Sequence, residues 1–463
     1  ARERNISITY KEEHFMLEKM FKLKENNTSF RTEVVAGLTT FMAMAYILAV
    51  NPNILSATGM NSDAILLATA LASFVGCMAM ALLAFALAPG MGMNAYMAFT
   101  VCGNMGYSWQ IALLAVFVEG LIFIVLSLTN VREAIFNAIP MALKKGVSAG
   151  IGLFIAFIGL QGANLVVNDD STLLTYVKFV GDFHTIGIGA LLALIGLFII
   201  VVLHHKNIKG SILIGILATW ILGMICEAIG LYVPDGKEFY SLYPTFRMID
   251  FGAFGTTFGQ CFNVDFSGVD ILNFIAVLFA FLFVDIFDTL GTLIGVSTKA
   301  NMLDEEGKLP RIRPALLADA IATSVGAIFG TSTTTTYVES SAGVAAGGRT
   351  GLSAMVTGLL FLLAIVFAPI FTAIPSFATA PALIFVGFLM ISSIISIDFE
   401  DITEAVPAYL AMLAMPLMYS ISEGIALGVI SYVVINLCCG KAKKIKPLMY
   451  ILAVLFVLKY IFL

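Results

Sequence analysis

Long apolar segments separated by short polar ones constrain this chain more than any other feature. Of its 463 residues, 60% are hydrophobic and 12% are charged, whereas about 25% of the residues in a soluble domain are charged. A helix needs roughly 20 apolar residues to cross the hydrocarbon core of a bilayer, where the backbone must satisfy its own hydrogen bonds. The sequence therefore predicts an all-α integral membrane protein that has the lipid bilayer as its solvent.

Fourteen segments fit the length and apolar character of transmembrane spans. Seven lie before a polar connector, near 34–50, 63–88, 89–105, 109–128, 141–160, 184–203 and 210–231. Seven lie after it, near 270–297, 313–329, 331–349, 351–373, 378–396, 404–419 and 421–439. The predicted organisation is a cytoplasmic N-terminal segment, a seven-span repeat, an extracytoplasmic connector, a second seven-span repeat, and a basic segment with an apolar C-terminal helix: 1–33, 34–231, 232–269, 270–440 and 441–463.

The basic residues agree with this count and give it an orientation. With the N-terminus in the cytoplasm, 21 of the 25 Lys and Arg residues fall in cytoplasmic segments and 3 fall outside, as the positive-inside rule predicts. An odd number of spans per half makes the second half start from the opposite side, which is typical of an inverted-topology repeat. The apolar tail at 447–463 could cross as a fifteenth span, but we favour an interfacial or re-entrant helix there.

Two of the fourteen spans are poor continuous helices, and each is the third span of its half. Span 3 has Pro89 and Gly90 where a helix should cross, and we expect its helix to begin near Asn94. In span 10 the β-branched run Thr333–Thr336 favours an extended backbone before a helix that begins near Glu339. Irregular backbone at membrane depth is tolerated around an enclosed cavity. Both spans are therefore predicted to be half extended and half helical; the alternative is a pair of loops between ordinary spans.

Carboxylates within the apolar spans are the strongest candidates for a functional site, because a charge is costly in lipid. Asp285 and Asp288 lie three residues apart in span 8 and so share one helical face, and Glu339 follows in span 10. Three acids without a basic residue nearby in sequence cannot all ionise cheaply, so Glu339 or Asp288 is predicted to carry a proton. The alternative role is hydrogen bonding to the backbone or helix capping. Structural hydrogen bonding is expected for the isolated acids Glu119, Glu227 and Asp319.

Other classes of protein find little support in the sequence. The six cysteines have no metal-ligand spacing and lie mostly in or beside apolar stretches, so they are expected to behave as small hydrophobic residues. We predict no disulfide and no metal site. A phosphate-binding glycine loop of the P-loop type is not found. We therefore expect no enzymatic activity, no nucleic-acid partner and no cofactor, with the proton as the coupling ion.

Three motifs, APGMGMNAY, FVDIFDTLGTL and TSTTTTYVESSAGV, resemble the adenine–guanine–hypoxanthine permease branch of the nucleobase:cation symporter-2 family. The segment RTEVVAGLTTFMAMAYILAVNP resembles it too, and the similarity runs from Phe21 over almost the whole chain. The resemblance implies a proton-coupled symporter that imports adenine, guanine or hypoxanthine across a bacterial inner membrane by an elevator mechanism. It further implies a homodimer formed through a gate domain of spans 5–7 and 12–14, beside a core domain of spans 1–4 and 8–11. The corresponding residues are 141–231 and 378–439 for the gate, and 34–128 and 270–373 for the core.

The same resemblance assigns roles residue by residue. Substrate binding falls to Asp288, Glu339, Asn94, Asp285 and Thr40, and proton coupling to Glu339 and Asp288. Carboxylates and an asparagine offer the acceptors and donors that match a purine base. Four aromatic side chains could stack on the base, although core packing explains each of them equally well: Tyr96, Phe99, Phe287 and Tyr337.

An anion transporter or channel of the same fold is the alternative function. Such a protein is expected to have a basic residue near the two interrupted spans, whereas the nearest one here, Arg349, lies at the cytoplasmic end of span 10. Spans 1 and 8 also lack the histidine that the uracil and xanthine branches often have. The sequence therefore favours the purine branch, with proton handling by carboxylates.

Overall fold

The structure is a computed structural model. It describes residue 18 and residues 20–81, 83–129, 139–169, 171–179, 182–234, 240–244, 249–266, 269–299 and 312–462. Most of the predicted N-terminal segment 1–33 and parts of the connector 232–269 lie outside the described residues.

The described part of the chain is mostly helical. Its first-half helices are α1 (Phe30–Met44), α2 (Ile47–Leu55), α3 (Ser62–Ala79), α4 (Met91–Ala95), α5 (Trp109–Leu128), α6 (Met141–Gly162), α7 (Ile188–His205) and α8 (Ser211–Ala228). Its second-half helices are α9 (Ile271–Lys299), α10 (Ile312–Phe329), α11 (Ser340–Ala345), α12 (Gly351–Ala364), α13 (Ala368–Thr372), α14 (Ser376–Ile391), α15 (Ile402–Leu417), α16 (Ile421–Cys438) and α17 (Pro447–Phe462). Four short strands are β1 (Leu87–Pro89), β2 (Val166–Asp169), β3 (Leu173–Tyr176) and β4 (Thr334–Thr336).

Nine helices within the described residues are long and apolar enough to cross a membrane, judged by length and composition. Shorter apolar helices occur at Ile271–Ile286, Ile402–Leu417, Glu423–Cys438 and Pro447–Leu458. Large apolar side chains also point outward: Phe198 is 62% exposed and Val366 is 71% exposed. An extensive apolar surface of this kind suits contact with hydrocarbon, so the chain is a multi-pass membrane protein.

Polar side chains start several of these helices. The Asn61 side chain accepts hydrogen bonds from the Asp63 and Ala64 amides at 2.9 and 3.1 Å and so caps α3. Ser29 caps α1 in the same way by accepting from the Thr32 amide at 3.2 Å. The first amides of a helix have no partner within the helix. These caps therefore fix where each apolar segment begins.

The helices pack in two groups, which we call the first and second groups. In the first group α1, α3, α5, α10 and α12 pack on one another, and in the second α6, α7, α8, α14, α15 and α16 do so. Close contact in the second group depends on glycine: a Cβ on Gly146 of α6 would lie 2.6 Å from the Ala408 carbonyl oxygen of α15. Helix α9 touches both groups, since it meets α5 and β4 on one side and α6 and α16 on the other.

Strands β1 and β4 form a two-stranded antiparallel sheet inside the first group, with Leu87 opposite Thr336 and Pro89 opposite Thr334. The pairing continues past both ends of β1, because the Gly90 amide donates to the Thr333 carbonyl at 2.9 Å and the Tyr337 amide donates to the Ala86 carbonyl at 3.0 Å. Buried backbone away from water must be paired within the protein. The sheet supplies partners for two segments that are not helical.

Two sequence-based boundaries and the predicted fold class need correction. Helix α3 ends at Ala79, not near residue 88, because the chain becomes extended to form β1. The helix after β1 begins at Met91, with Gly90 before it, so Asn94 lies inside α4 and is not its first residue. The description as all-α is also incomplete, because β1 pairs with β4 and β2 pairs with β3.

The C-terminal helix α17 packs along α16. It follows the end of α16, yet near its own far end the Tyr460 hydroxyl contacts the Glu423 carboxylate in the first turn of α16. Between these points Phe456 packs against Phe283 of α9, with ring centroids 5.8 Å apart. Helix α17 therefore runs antiparallel to α16 along its length.

Candidate substrate-binding site

Asp288 and Glu339 reach the β1–β4 sheet from different elements. Asp288 lies within α9, and Glu339 directly precedes α11, two residues after Tyr337. Asp288 interacts electrostatically with both Glu339 and Asp285. The side chains of Asp288 and Glu339 are half-buried, whereas Asp285 is fully buried. Two carboxylates that keep some exposure beside a buried sheet form the candidate site.

Two buried phenols frame these acids. The Tyr46 hydroxyl donates to Glu339 Oε1 at 2.7 Å, and the Tyr337 hydroxyl donates to the Pro89 carbonyl at 2.6 Å. Tyr337 therefore ties the segment just before Glu339 to the end of β1. Tyr46 was missed in the sequence analysis, and its only signal there is a phenol within the otherwise apolar segment AMAYILAV.

Asp285 faces a second polar cluster, on the side of α10 and β4. The Thr289 hydroxyl lies 2.9 Å from Asp285 Oδ1, 3.1 Å from both carboxylate oxygens of Asp319, and 2.7 Å from the Thr335 hydroxyl. A hydroxyl has one proton to donate and two lone pairs, so Thr289 links the carboxylates of two helices to the strand. Although Asp285 and Asp288 are close in sequence, their side chains have different surroundings.

Hydroxyl groups of the segment before α11 connect it to several other elements. The Thr333 hydroxyl donates to Glu119 Oε2 of α5 at 2.8 Å, and the Ser332 hydroxyl donates to the side-chain oxygen Oδ1 of Asn94 in α4. Thr336 makes a long contact of 3.5 Å with Asp319. Glu119 and Asp319 thus take structural roles of the kind expected for them, as hydrogen-bond acceptors. Glu227 accepts from the Ser241 hydroxyl and the Leu242 amide, both at 2.7 Å.

Asn94 and Thr40 lie deeper than the two half-buried acids. Asn94 is buried in α4, and its Nδ2 has no hydrogen-bond partner within the described residues. Thr40 is buried in α1 and packs against Gly343, one turn of α11 beyond Glu339. The structure therefore brings Asp288 and Glu339 within electrostatic range of each other, whereas Asn94 and Thr40 are buried more completely than either acid.

Three of the four aromatic candidates take part in packing. Tyr96 meets Phe281 of α9 edge to face, with ring centroids 5.0 Å apart. Phe99 meets Tyr419 in the same manner at 5.9 Å, and Tyr337 is bound to Pro89. The side chain of Phe287 lies outside the described residues.

The candidate site offers hydrogen-bond acceptors and a place for a proton. Ionised carboxylates accept hydrogen bonds, and a protonated carboxyl group donates one. Within the described residues, no group of three or more His, Cys, Asp or Glu side chains could hold a metal ion. The chemistry available to Asp288 and Glu339 is therefore recognition of N–H donors and reversible proton binding.

Apolar helices around a half-buried acidic site are typical of a membrane transport protein. Residues 31–427 match the profile of a permease family, and the chain belongs to that family, in its adenine–guanine–hypoxanthine branch. The resemblance found in the sequence motifs is thereby confirmed. Because the family consists of permeases, as do the two relatives described next, the protein is a transporter and not an enzyme.

Two relatives match nearly the entire chain. The guanine/hypoxanthine permease PbuG of Bacillus subtilis (strain 168) is 46% identical over 455 residues, which cover 96% of this chain and 99% of the relative. The adenine permease AdeP of Escherichia coli (strain K12) is 42% identical over 450 residues, which cover 96% of each chain.

Among solved structures, the transmembrane domain of the cyanobacterial bicarbonate transporter BicA superimposes with a TM-score of 0.63. The match covers 86% of this chain and 97% of that one, at 17% sequence identity. At that level of identity the likeness concerns the fold alone.

Proposed function

We propose that this protein is a proton-coupled symporter that imports purine nucleobases, namely adenine, guanine and/or hypoxanthine. The observation that carries the proposal is the pair of half-buried carboxylates, Asp288 and Glu339, beside the β1–β4 sheet. The substrate class is supported by the guanine/hypoxanthine and adenine permeases that are 46% and 42% identical to this chain.

Each site residue has a proposed task. Asp288 and Glu339 accept hydrogen bonds from ring N–H and exocyclic amino groups, and when protonated either one can donate to a ring nitrogen. One of the two carries the coupled proton. Asn94, Asp285 and Thr40 complete the proposed binding set. Asp285 contacts Thr289, which in turn contacts Asp319, so Asp285 also helps to link α9 to α10.

The proposed architecture has fourteen spans as two inverted seven-span repeats, with spans 3 and 10 half extended. The core domain comprises 34–128 and 270–373, and the gate domain comprises 141–231 and 378–439. The first and second packing groups follow this division, and α9 lies between them. An elevator movement would carry the core along the gate, with the homodimer formed through the gate.

The proposed setting is a bacterial inner membrane with the N-terminus in the cytoplasm. Inward movement of one positive charge would gain about 2.3 kcal/mol per 100 mV of membrane potential. This energy can drive accumulation of the base only if the proton and the base cross the membrane together. Coupling therefore predicts that collapse of the proton gradient stops accumulation of the base.

Uptake measurements test the function. Cells that lack their own purine carriers would express the protein and receive labelled adenine, guanine, hypoxanthine, xanthine or uracil, with and without a protonophore. We expect uptake of one or more of the first three, abolished by the protonophore. Purine uptake that is unchanged by the protonophore would contradict the proposed proton coupling. Transport of sulfate or bicarbonate in place of any base would support the anion transporter.

The variant Glu339→Gln tests the site. Loss of the ionisable group should abolish uptake or uncouple it from the proton, while the amount of protein in the membrane stays the same. Glu227→Gln is the matched control, because Glu227 binds Ser241 and Leu242 far along the chain from the site and its replacement should leave uptake within about twofold. Unchanged kinetics for Glu339→Gln would remove Glu339 from the mechanism.

A further inference from the structure

We infer that Tyr46 is a positioning residue for Glu339. The Tyr46 hydroxyl fixes the orientation of the Glu339 carboxylate, so that one carboxylate oxygen is left for the substrate. This inference rests on the proposed function. Tyr46 is fully buried and lies in the short break between α1 and α2. Its hydroxyl donates to Glu339 Oε1 at 2.7 Å, so it acts on the base through Glu339.

Glu339 needs such a contact because of where it stands. It occupies the last position before α11, and its side chain makes no capping hydrogen bond to that helix. The terminal torsion of a glutamate side chain is broad and roughly two-fold, so an isolated carboxylate would turn between orientations. The Tyr46 hydrogen bond to an ionised acceptor is of the stronger, charge-assisted kind and selects one orientation.

Among the described contacts, Tyr46 is the side chain that donates to Glu339, and the carboxylate also accepts from the backbone amide of Glu339 itself. Asp288 from α9 faces Glu339 as a second acid, and two acids repel when both are ionised. Tyr337 also lies close, but its hydroxyl donates to the Pro89 carbonyl at 2.6 Å. Tyr46 is therefore the phenol that holds Glu339, and Tyr337 is the one that holds β1.

The consequence for binding is a preformed acceptor. With Oε1 bound to Tyr46, Oε2 is the oxygen available to a purine N–H group. Without Tyr46 the base would have to order the carboxylate as it binds, and ordering a side chain weakens binding by up to about tenfold. The loss should appear in the apparent affinity and not in the maximal rate, since it concerns binding of the ground state.

The test is purine uptake by wild-type protein and by Tyr46→Phe, normalised to the amount of protein in the membrane. We expect KM to rise by about tenfold and the maximal rate to stay within about twofold. The control is Tyr432→Phe: Tyr432 of α16 is likewise buried and its hydroxyl binds the Glu404 carboxylate, away from Glu339. We expect its KM to equal that of the wild type.

A second variant separates hydrogen-bond donation from ring packing. Replacement of Tyr46 by para-aminophenylalanine keeps a donor at the same position, so it should return KM to within about twofold of the wild type. A wild-type KM in Tyr46→Phe, or an equal rise in both Tyr46 variants, would overturn the inference while purine uptake itself stands. A wild-type protein that takes up no purine would overturn the proposed function and the inference with it.

Discussion

Gly90 lies where β1 ends and α4 begins, and its missing side chain leaves room for Thr335 of β4. A Cβ at this position would lie 2.8 Å from Thr335 Cγ2 and 3.5 Å from Asp288 Oδ2. The backbone of Gly90, with φ −71° and ψ 127°, is open to any residue. The need for glycine is therefore steric, and it arises from the approach of Thr335 in β4, since 3.5 Å from Asp288 is an ordinary contact distance.

Replacement of Gly90 by alanine should disturb the site without a change of backbone region. Overpacking of a buried position costs about 1–3 kcal/mol, and the shift it forces on Thr335, the partner of Thr289 in α9, should reduce purine uptake strongly. Thermal unfolding of purified protein and uptake would measure the two effects. Gly162→Ala at the end of α6 is the control, because nothing lies within 4 Å of its added Cβ. Equal uptake by both variants would contradict this account.

Some site residues could be predicted from the sequence and others could not. Asp288 and Glu339 stand out because a charge in an apolar span is conspicuous, and the structure brings these two together. Tyr46 does not stand out, since an aromatic residue in an apolar span is ordinary and its partner is in the other half of the chain. Side-chain pairing across such distances has no signature in a single sequence.

At the scale of elements, β4 joins α9 and α10 through its hydroxyl groups. Thr335 is within 2.7 Å of the Thr289 hydroxyl, which in turn contacts Asp285 and Asp319. The neighbouring Thr334 is also buried, but its hydroxyl has no hydrogen-bond partner in the described structure. Adjacent threonines thus differ in whether the hydroxyl is used.

Thr334 and Thr335 give a matched test of whether the hydroxyl network stabilises β4. Thr335→Val removes a hydroxyl from a buried network and should destabilise the protein by about 1–3 kcal/mol, with a fall in uptake. Thr334→Val has the same shape change and should be neutral or stabilising, because it removes a buried polar group without a partner. Unfolding midpoints of the two purified variants would show the difference. A greater loss for Thr334→Val would mean that the network does not support β4.

A second element-scale feature lies outside the membrane spans, at the start of α15. Asp401 accepts from the Thr403 hydroxyl at 2.6 Å and pairs with Lys441 and Lys444 at 3.2 and 3.3 Å. The Thr403 hydroxyl and then Lys441 hold the pKa of the Asp401 carboxyl well below its usual range. This cluster ties the start of α15 to the segment between α16 and α17.

The depressed pKa sets the pH dependence of that contribution. Asp401 stabilises the folded state above the ordinary aspartate pKa of about 4, and the contribution is lost as pH falls through the lower folded value. Asp401→Asn should therefore lower the unfolding temperature at pH 7, and the gap from wild type should narrow below about pH 4. Asp398→Asn in the same connector is the control, with a smaller gap expected. A gap for Asp401→Asn that stays constant with pH would contradict the ion-pair explanation.

The element boundaries show where sequence reasoning fails. The β-branched run ending at Thr336 and the Pro89–Gly90 pair both indicate extended backbone, and the structure has strands there. The end of α3 at Ala79 was missed because the following residues stay apolar, so hydropathy continues after the helix has stopped. Apolar character reports burial in lipid or protein, and it does not report backbone conformation.

At the scale of the whole molecule, the predicted helices have counterparts in the structure, but their lengths vary. Nine reach the length and hydropathy of a full crossing, and others are shorter within the described residues. The direction of α17 could not be predicted, because an apolar segment of that length suits either a crossing or a surface position. In the structure, the contact between Tyr460 and Glu423 places the far end of α17 beside the first turn of α16.

The path of α17 can be tested by reporter fusions. If α17 crosses the membrane, a reporter fused after residue 446 and one fused after residue 462 should report opposite sides. Alkaline phosphatase and green fluorescent protein give complementary signals for the two sides, so each junction would be tested with both. Reporter signals from the same side of the membrane would support the interfacial or re-entrant helix that the sequence favours. This outcome does not depend on which side the N-terminus occupies.

The β1–β4 sheet also has a consequence for how the protein is made. Leu87 pairs with Thr336, so at a synthesis rate of about 5–20 residues per second the first strand waits roughly 12 to 50 s for its partner. During that time its amide and carbonyl groups must be hydrated or shielded by the translocation machinery. A chain that stalls between the two halves would present an unpaired strand edge, which invites aggregation. The protein's quality control during synthesis thus depends on the arrival of the second half.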